Sequence, residues 1–208
     1  MKIHFTRHGE SLANTLHIIS NRDLPHALTE TGRAQAQALA TRLKDFPLLR
    51  IYASPVLRAR QTAEIVGAAL QVPVEVAEGL KEYDCGVLEG RGDEAAWAQH
   101  AQFWQDWLAG RNRASAPEGG ESFFDIQRRV REFVSGLIAQ YNGTPAEVLC
   151  VSHGGTLTFG LPGVLSNLET ASLHPNRFPH TVLVSAEWEG EQLVCTRWDE
   201  TQPGGAKP

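Results

Sequence analysis

The sequence predicts an α/β domain: a three-layer sandwich with a mostly parallel central sheet, helices on both faces and a small helical cap insertion at about 91–120. Three observations carry that prediction. Short strand-like runs alternate with amphipathic helical segments, which implies parallel pairing through right-handed crossovers. Two of the runs end directly on a histidine followed by glycine, at Arg7-His8-Gly9 and Ser152-His153-Gly154, and the carboxyl ends of strands are where open α/β sheets bind ligands. Between them, residues 77–116 lose the alternation and carry Trp97, Phe103, Trp104 and Trp107. A chain of 208 residues is large enough to bury roughly 70% of the surface it would expose unfolded. Residues 1–200 read as one domain and TQPGGAKP, 201–208, as a frayed tail.

In order, Lys2 to Thr6 alternates polar and apolar as a strand does, although a central parallel strand is usually apolar throughout. His4 is then a packed, hydrogen-bonded strand residue. Residues 17–27 form a loop, with Asn21, Asp23 and Pro25 as turn residues. Thr29 caps a helix whose Ala36, Leu39, Ala40 and Leu43 share a face. Leu48 to Ala53 is the second strand, and Ala59, Ala63, Val66 and Leu70 mark the helix after it. Pro73 to Val76 is a short third strand. The stretch from 77 to 116 is the cap, most of whose aromatics are expected to form its own core. Ile126 through Tyr141 is the cleanest helical face, ended by Gly143 and Pro145. Val148 to Ser152 is a buried strand delivering His153, and Pro162-Gly163 interrupts the helix after it. Thr181–Trp188 and Leu193–Trp198 close the fold as a hairpin.

Composition narrows the function classes. Lys plus Arg total 19 against 24 Asp plus Glu, a net charge of -5, so no global field favours nucleic acid or an anionic membrane. An anionic ligand must be met by locally clustered arginine. Cys85, Cys150 and Cys195 are odd in number, far apart and form no CxxC pair, which reads as reduced thiols. With no apolar signal core in MKIHFTRHGE and no membrane-span-length apolar run, the expected location is cytoplasmic.

Arg7-His8-Gly9 suits a nucleophile that attacks an anion. Glycine lets backbone approach a ligand, and arginine offers phosphate a planar fork of donors. Neighbouring arginine charge keeps a histidine neutral, hence nucleophilic, when no substrate is bound. Three further stretches accompany it: SPVLRARQTA at 54–63, LKEYDCGVLEG at 80–90 and SHGG at 152–155. Together with LTETGRAQAQAL at 28–39 and PEGGESFFDIQRRV at 117–130, in this order, they resemble the histidine phosphatase superfamily, the phosphoglycerate mutase-like group. The resemblance spans residues 2 to about 165.

The resemblance implies a metal-independent, cofactor-free phosphomonoester hydrolase acting on a small phosphorylated metabolite. By it, His8 becomes phosphohistidine, while Arg7, Arg58, Asn14 and His153 hold the phosphoryl oxygens and Glu82 is general acid and base. Positive charge around the phosphoryl group is the main source of catalysis in such reactions. A carboxylate can protonate a leaving alkoxide only if burial or the phosphate dianion holds its proton. Ser11 and the backbone near Gly154 are further candidates for phosphate hydrogen bonds, Ser11 being equally a helix cap. Asp84 and Glu89 read as solvated loop charges. The expected partner is a small phosphorylated substrate, with no nucleic acid and no membrane, and a homodimer as the candidate assembly.

Other readings are weaker. Cys85 and Arg91 are spaced as in a cysteine phosphatase loop, but Asp84 and Glu89 crowd that loop with negative charge, which opposes a thiolate. No GxSxG elbow accompanies His153-Gly154-Gly155, the GRGDEA run follows no strand, and no HExxH appears among the histidines. A phosphoglycerate mutase shares the same histidine machinery, as would a non-catalytic phospho-ligand binder. The interval from Glu82 to Glu121 favours the phosphatase, because it is short and its basic residues are only Arg91, Arg111 and Arg113. Substrate choice is expected to lie in 17–27 and the cap, with 174–180 as a second substrate-lining loop or a surface crossover.

Overall fold

The computed structural model describes residues 1–22, 24–174 and 177–199. Strands β1 (Lys2–Arg7), β2 (Leu48–Ala53), β3 (Val74–Val76), β4 (Glu147–Ser152), β5 (Leu183–Glu189) and β6 (Gln192–Asp199) form one sheet in the order β3-β2-β4-β1-β5-β6. The first four in that order run parallel, and β5 and β6 add an antiparallel margin. The proposed tail falls outside the described residues.

Successive residues of each strand point to opposite faces, and the sheet sorts them into two cores. Ile51, Ala53, Leu149 and Val151 pack with Leu39 of α2 (Glu30–Arg42), Leu43 at its C-cap, and Ala59, Ala63 and Val66 of α3 (Leu57–Leu70). Ile3, Phe5, Val148 and Cys150 pack on the other face with Ile126, Val130, Val134 and Leu137 of α5 (Phe123–Tyr141). The polar alternation of β1 has a local explanation. His4 is buried, but its Nδ1 meets Ser185 Oγ at 2.9 Å, its Nε2 meets Glu147 at 3.0 Å, and its edge packs on Phe46. A strand can carry a polar residue inward when every polar atom is satisfied.

Helix starts follow local chemistry. Thr29 Oγ1 accepts the Gly32 N–H at 3.0 Å, capping α2. Ser122 and Asp125 form a reciprocal capping box at the start of α5, a Ser-x-x-Asp signal in the sequence. The cap contains one long helix, α4 (Glu94–Leu108), capped by Asp93. Its aromatics pack on the core: Trp107 is fully buried against Phe123 and Phe159, Phe103 packs on Trp107, and Trp97 and Trp104 are partly buried against the same cluster while also lining a cavity. The chain then passes through β4 into α6 (Gly154–Gly160) and a 3₁₀ turn at Leu161–Gly163, where Pro162 stops the helix. Among the described residues no helix is long and apolar enough to cross a membrane.

Candidate active site

The paired ends of β1 and β4 place Arg7 opposite Ser152. Each chain then leaves the sheet on a histidine, and the two rings, His8 and His153, lie 5.0 Å apart between centroids. His8 is 2% exposed, and its N–H donates to Ser152 O at 3.0 Å. Its Nδ1 lies 2.6 Å from the Gly9 carbonyl, which can only accept, so the ring proton sits on Nδ1. Nε2 is left with its lone pair and receives Arg58 Nε at 2.9 Å. Burial, then the charge of Arg58, pushes the His8 pKa well below the ordinary 6.5, so the ring is neutral at neutral pH.

Glycine at position 9 has a further cause. A Cβ there would collide with the carbonyl of Gly32, and one at Gly32 with the carbonyl of Glu10, so the two backbones touch directly. That contact fixes the loop after β1 against the first turn of α2. Thr62 Oγ1 accepts the Gly9 N–H at 3.1 Å and donates to Arg58 O at 2.8 Å, tying the loop that carries His8 to α3.

Around His8 Nε2 the site is rich in donors. Arg7 donates from Nη1 to the Phe178 carbonyl at 2.9 Å, while its Nε has no protein partner. Arg58 Nη1 and His153 Nδ1 are likewise buried and unpartnered. Burial lowers the Arg58 pKa to about 10, with Glu82 opposing the shift, so the guanidinium stays charged at neutral pH. His153 is fully buried and its Nε2 lies 2.7 Å from Ser54 Oγ. Burial and Arg58 hold its pKa well below the ordinary value.

Asn14, on the short helix α1 (Leu12–Thr15), lines the same cavity. Its Oδ1 accepts both the N–H and the hydroxyl of Ser11, at 3.0 and 2.9 Å, which assigns the amide nitrogen to the open side. Ser11 is fully buried at the start of α1, and its N–H and hydroxyl, both donated to Asn14 Oδ1, position that amide.

Glu82 is 8% exposed and faces the cavity from the loop before Tyr83. Oε2 accepts one N–H, from Gly155 at 3.0 Å. Oε1 accepts from Thr156 N at 2.7 Å, Thr156 Oγ1 at 3.0 Å and Tyr83 N at 3.0 Å. Oε2 is therefore the freer oxygen. Gly155 has no room for a side chain, since a Cβ would meet the Tyr83 ring at 2.5 Å and Glu82 Oε1 at 2.8 Å. Gly154 lines the cavity beside the Arg7 guanidinium.

Arg7, His8, Asn14, Arg58, Glu82, Gly154 and Gly155 line one pole of a cavity of about 430 Å³, with the buried His153 ring packed against that of His8. The opposite wall is Trp97, His100, Ala101 and Trp104 from α4, with Ile18, Ile19 and Asn21 from the segment after α1. Residues 97, 100, 101 and 104 recur at helical spacing on one face, a signal present in the sequence but hidden among the other aromatics of α4. Trp104 Nε1 donates to Tyr83 Oη at 2.8 Å, and that oxygen meets His100 Nε2 at 2.6 Å. Burial pulls the His100 pKa down to about 4, so this wall is neutral. Of the 174–180 loop, the described part serves the pole: Phe178 O holds Arg7, and His180 Nδ1 donates to His8 O at 3.0 Å.

Asp84 and Glu89 are partly exposed, as expected of loop charges, but both are engaged. Arg22 bridges to Asp84 at 3.0 Å, and Glu89 accepts from the backbone N–H groups of Asn21 at 2.8 Å and Cys85 at 2.9 Å. Both pin the segment after α1 to the loop that carries Glu82. Cys85 is fully buried with its thiol pKa pushed far up by burial, and Arg91 pairs with Asp93 at the surface, so the thiolate reading has neither nucleophile nor cradle. Among the described residues no cluster of three or more His, Cys, Asp or Glu side chains is placed to hold a metal.

The family model of the histidine phosphatase superfamily (branch 1) matches residues 3–201. The chain is 34% identical over 173 residues to the adenosylcobalamin/alpha-ribazole phosphatase of Salmonella typhimurium, covering 83% of each. It is 31% identical over 173 residues to a probable phosphoglycerate mutase of Erwinia tasmaniensis, covering 81% of this chain and 78% of that one. Among solved structures, the mycobacterial glucosyl-3-phosphoglycerate phosphatase superposes with a TM-score of 0.76 at 26% identity, over 95% of this chain and 96% of that one. A family match running from the first strand to the last, on a fold that brings both Gly-flanked histidines to one anion-ready pole, identifies the chain as a member of the histidine phosphatase superfamily, branch 1.

Proposed function

We propose that the chain is a phosphomonoesterase that hydrolyses a small phosphorylated substrate through phosphohistidine at His8. One observation carries this: a neutral His8, its Nε2 lone pair directed at a pole where Arg7 Nε, Arg58 Nη1 and His153 Nδ1 are buried without protein partners. Buried donors without acceptors are costly unless a ligand supplies the acceptors, and phosphate supplies several. In the first half-reaction Nε2 attacks phosphorus, the P–O ester bond breaks, and Glu82 delivers its proton to the leaving alkoxide. Arg58 must exchange its contact with Nε2 for the phosphoryl oxygens. In the second, Glu82 takes a proton from water, the water oxygen attacks phosphorus, and the P–N bond breaks to release phosphate and neutral His8. With the Ser54 hydroxyl donating to His153 Nε2, His153 Nδ1–H faces the anion. The Asn14 amide adds another donor.

Relatives include a probable phosphoglycerate mutase as well as a phosphatase, and the choice of hydrolysis rests on the cap. A mutase must retain its intermediate and exclude water. Here Arg91 is held by Asp93, Arg111 by Asp106, and Arg113 by the Trp107 carbonyl, so no cation of the cap lines the cavity. The test is to quench turnover of a labelled phosphomonoester in alkali. Base-stable, acid-labile label on the wild type and none on His8→Ala supports the reading, whereas full activity in His8→Ala refutes it. Supplying 3-phosphoglycerate with a bisphosphoglycerate primer separates the branches: isomerisation far outrunning phosphate release establishes a mutase.

A further inference from the structure

We infer that the site selects the phosphomonoester of an uncharged alcohol bearing an apolar or aromatic group, and discriminates against phosphorylated carboxylates and bisphosphates. This deepens the phosphomonoesterase reading and rests on it.

The charge distribution in the cavity is one-sided. Its permanent cations are Arg7 and Arg58, both at the pole that takes the phosphoryl group, and its carboxylate is Glu82, also at that pole. Every basic side chain of the two segments that build the far wall is engaged elsewhere. Arg22 pairs with Asp84, Arg91 with Asp93 and Arg111 with Asp106, while Arg113 donates to a carbonyl and lies over the Phe123 ring. A second anionic group on the substrate would lose water and find no counter-charge, which is costly.

The far wall offers instead rigid, neutral, largely aromatic surface. Trp97 Nε1 is fixed to His17 O at 2.7 Å and Trp104 Nε1 to Tyr83 Oη at 2.8 Å, so both indoles stand in place before a ligand arrives. The His100 ring lies between them, 5.1 and 5.9 Å from their centroids. Pre-set aromatic walls favour apolar or flat groups because no ordering cost is paid on binding. Asn21 and Gln105 at the same end can meet hydroxyl or amide groups without demanding charge.

Three alkyl phosphates with similar leaving groups test this: 2-phenylethyl phosphate, glycerol 3-phosphate and 3-phosphoglycerate, compared by kcat/KM on the wild type. The expected order is phenylethyl above glycerol phosphate by on the order of 10-fold, and glycerol phosphate above phosphoglycerate by on the order of 10²-fold. Ala101→Lys, which sets a cation in the wall at an exposed helix position, should raise the phosphoglycerate-to-glycerol phosphate ratio. Trp97→Leu should collapse the phenylethyl-to-glycerol phosphate ratio towards one. Phosphoglycerate turned over as well as glycerol phosphate, or a phenylethyl ratio near one in the wild type, overturns the inference while phosphohistidine labelling at His8 continues. Absence of both phosphate release and His8 label across the panel refutes the phosphomonoesterase reading, and this inference with it.

Discussion

The two ends of the cavity are built by opposite means. At the pole around His8 the groups come from separate stretches that meet only through the fold: Arg7 ending β1 and His8 just after it, Asn14 from α1, Arg58 from α3, Glu82 from a loop, and His153 after β4 with its ring 5.0 Å from that of His8. Most are fixed by bonds to another stretch, such as Thr62 to Gly9 or Glu82 to Gly155 and Thr156. The far wall draws Trp97, His100, Ala101 and Trp104 from one face of α4. A change at the pole therefore disturbs several stretches at once and should alter rate towards every substrate. A change on one helix face can alter preference while leaving the pole intact.

The sharpest way to break that contrast is at the pole. Glu82→Gln should cost about 10²- to 10⁴-fold in turnover of alkyl phosphates and far less for aryl phosphates, whose leaving groups need no proton. Steady-state rates on a matched alkyl and aryl pair decide it, and equal losses would take the acid role away from Glu82.

A comparable effect of a different kind is expected where the wall is anchored. Trp107 lies on the core side of α4, fully buried, so Trp107→Ala should lower unfolding free energy by about 3–5 kcal/mol, read from a shift of the urea midpoint. A shift below about 1 kcal/mol would mean that α4 is held by something other than this side chain.

Acid should loosen the pole next. The His8 and His153 pKa values lie well below the ordinary 6.5 because both rings are buried beside arginine. Above ~6.5 neither the folded nor the unfolded chain binds these protons, and stability is insensitive to them. Below it the unfolded chain takes up protons that the folded pole refuses. Stability should fall with falling pH by up to about 1.4 kcal/mol per unit for each ring. His153→Gln should flatten that slope in chemical denaturation between pH 6.5 and 5, and an unchanged slope would contradict the assignment.

The smallest effect is predicted at the rim. The exposed Arg22–Asp84 pair is worth no more than about 1 kcal/mol. Arg22→Ala should raise KM by no more than about 5-fold without changing kcat, and a fall in kcat would show that the rim reaches the pole.

The pole was legible in the sequence because each of its residues sits in a short motif at an element boundary. Thr29, Leu48–Ala53 and Val148–Ser152 marked those boundaries by cap chemistry and apolar runs. The wall was less legible. Helical periodicity places Trp97, Trp104 and Trp107 on α4, but which of them meets core and which meets cavity depends on how α4 lies over Phe123 and Phe159, a long-range fact. His100 went unnoticed because a lone histidine among aromatics has no local signature. Glu89 looked solvated for a similar reason, since its partners at Asn21 and Cys85 are backbone N–H groups that no side-chain pattern announces.

The position of β1 bears on how the protein is made. Residues 2–7 occupy the middle of the sheet, with β4 (147–152) on one side and β5 (183–189) on the other. A ribosome produces His8 long before both strands that flank β1. Until residues 147–152 emerge, β1 has no strand to pair with; His153 follows directly, and the Phe178 carbonyl that holds Arg7 comes later still. Pairings this distant in sequence form slowly, and waiting strand edges are open to wrong partners. The pole is thus assembled only after β4 and β5 have been made, and a nascent chain halted before residue 150 carries Arg7, His8, Arg58 and Glu82 without the strands that pair with β1.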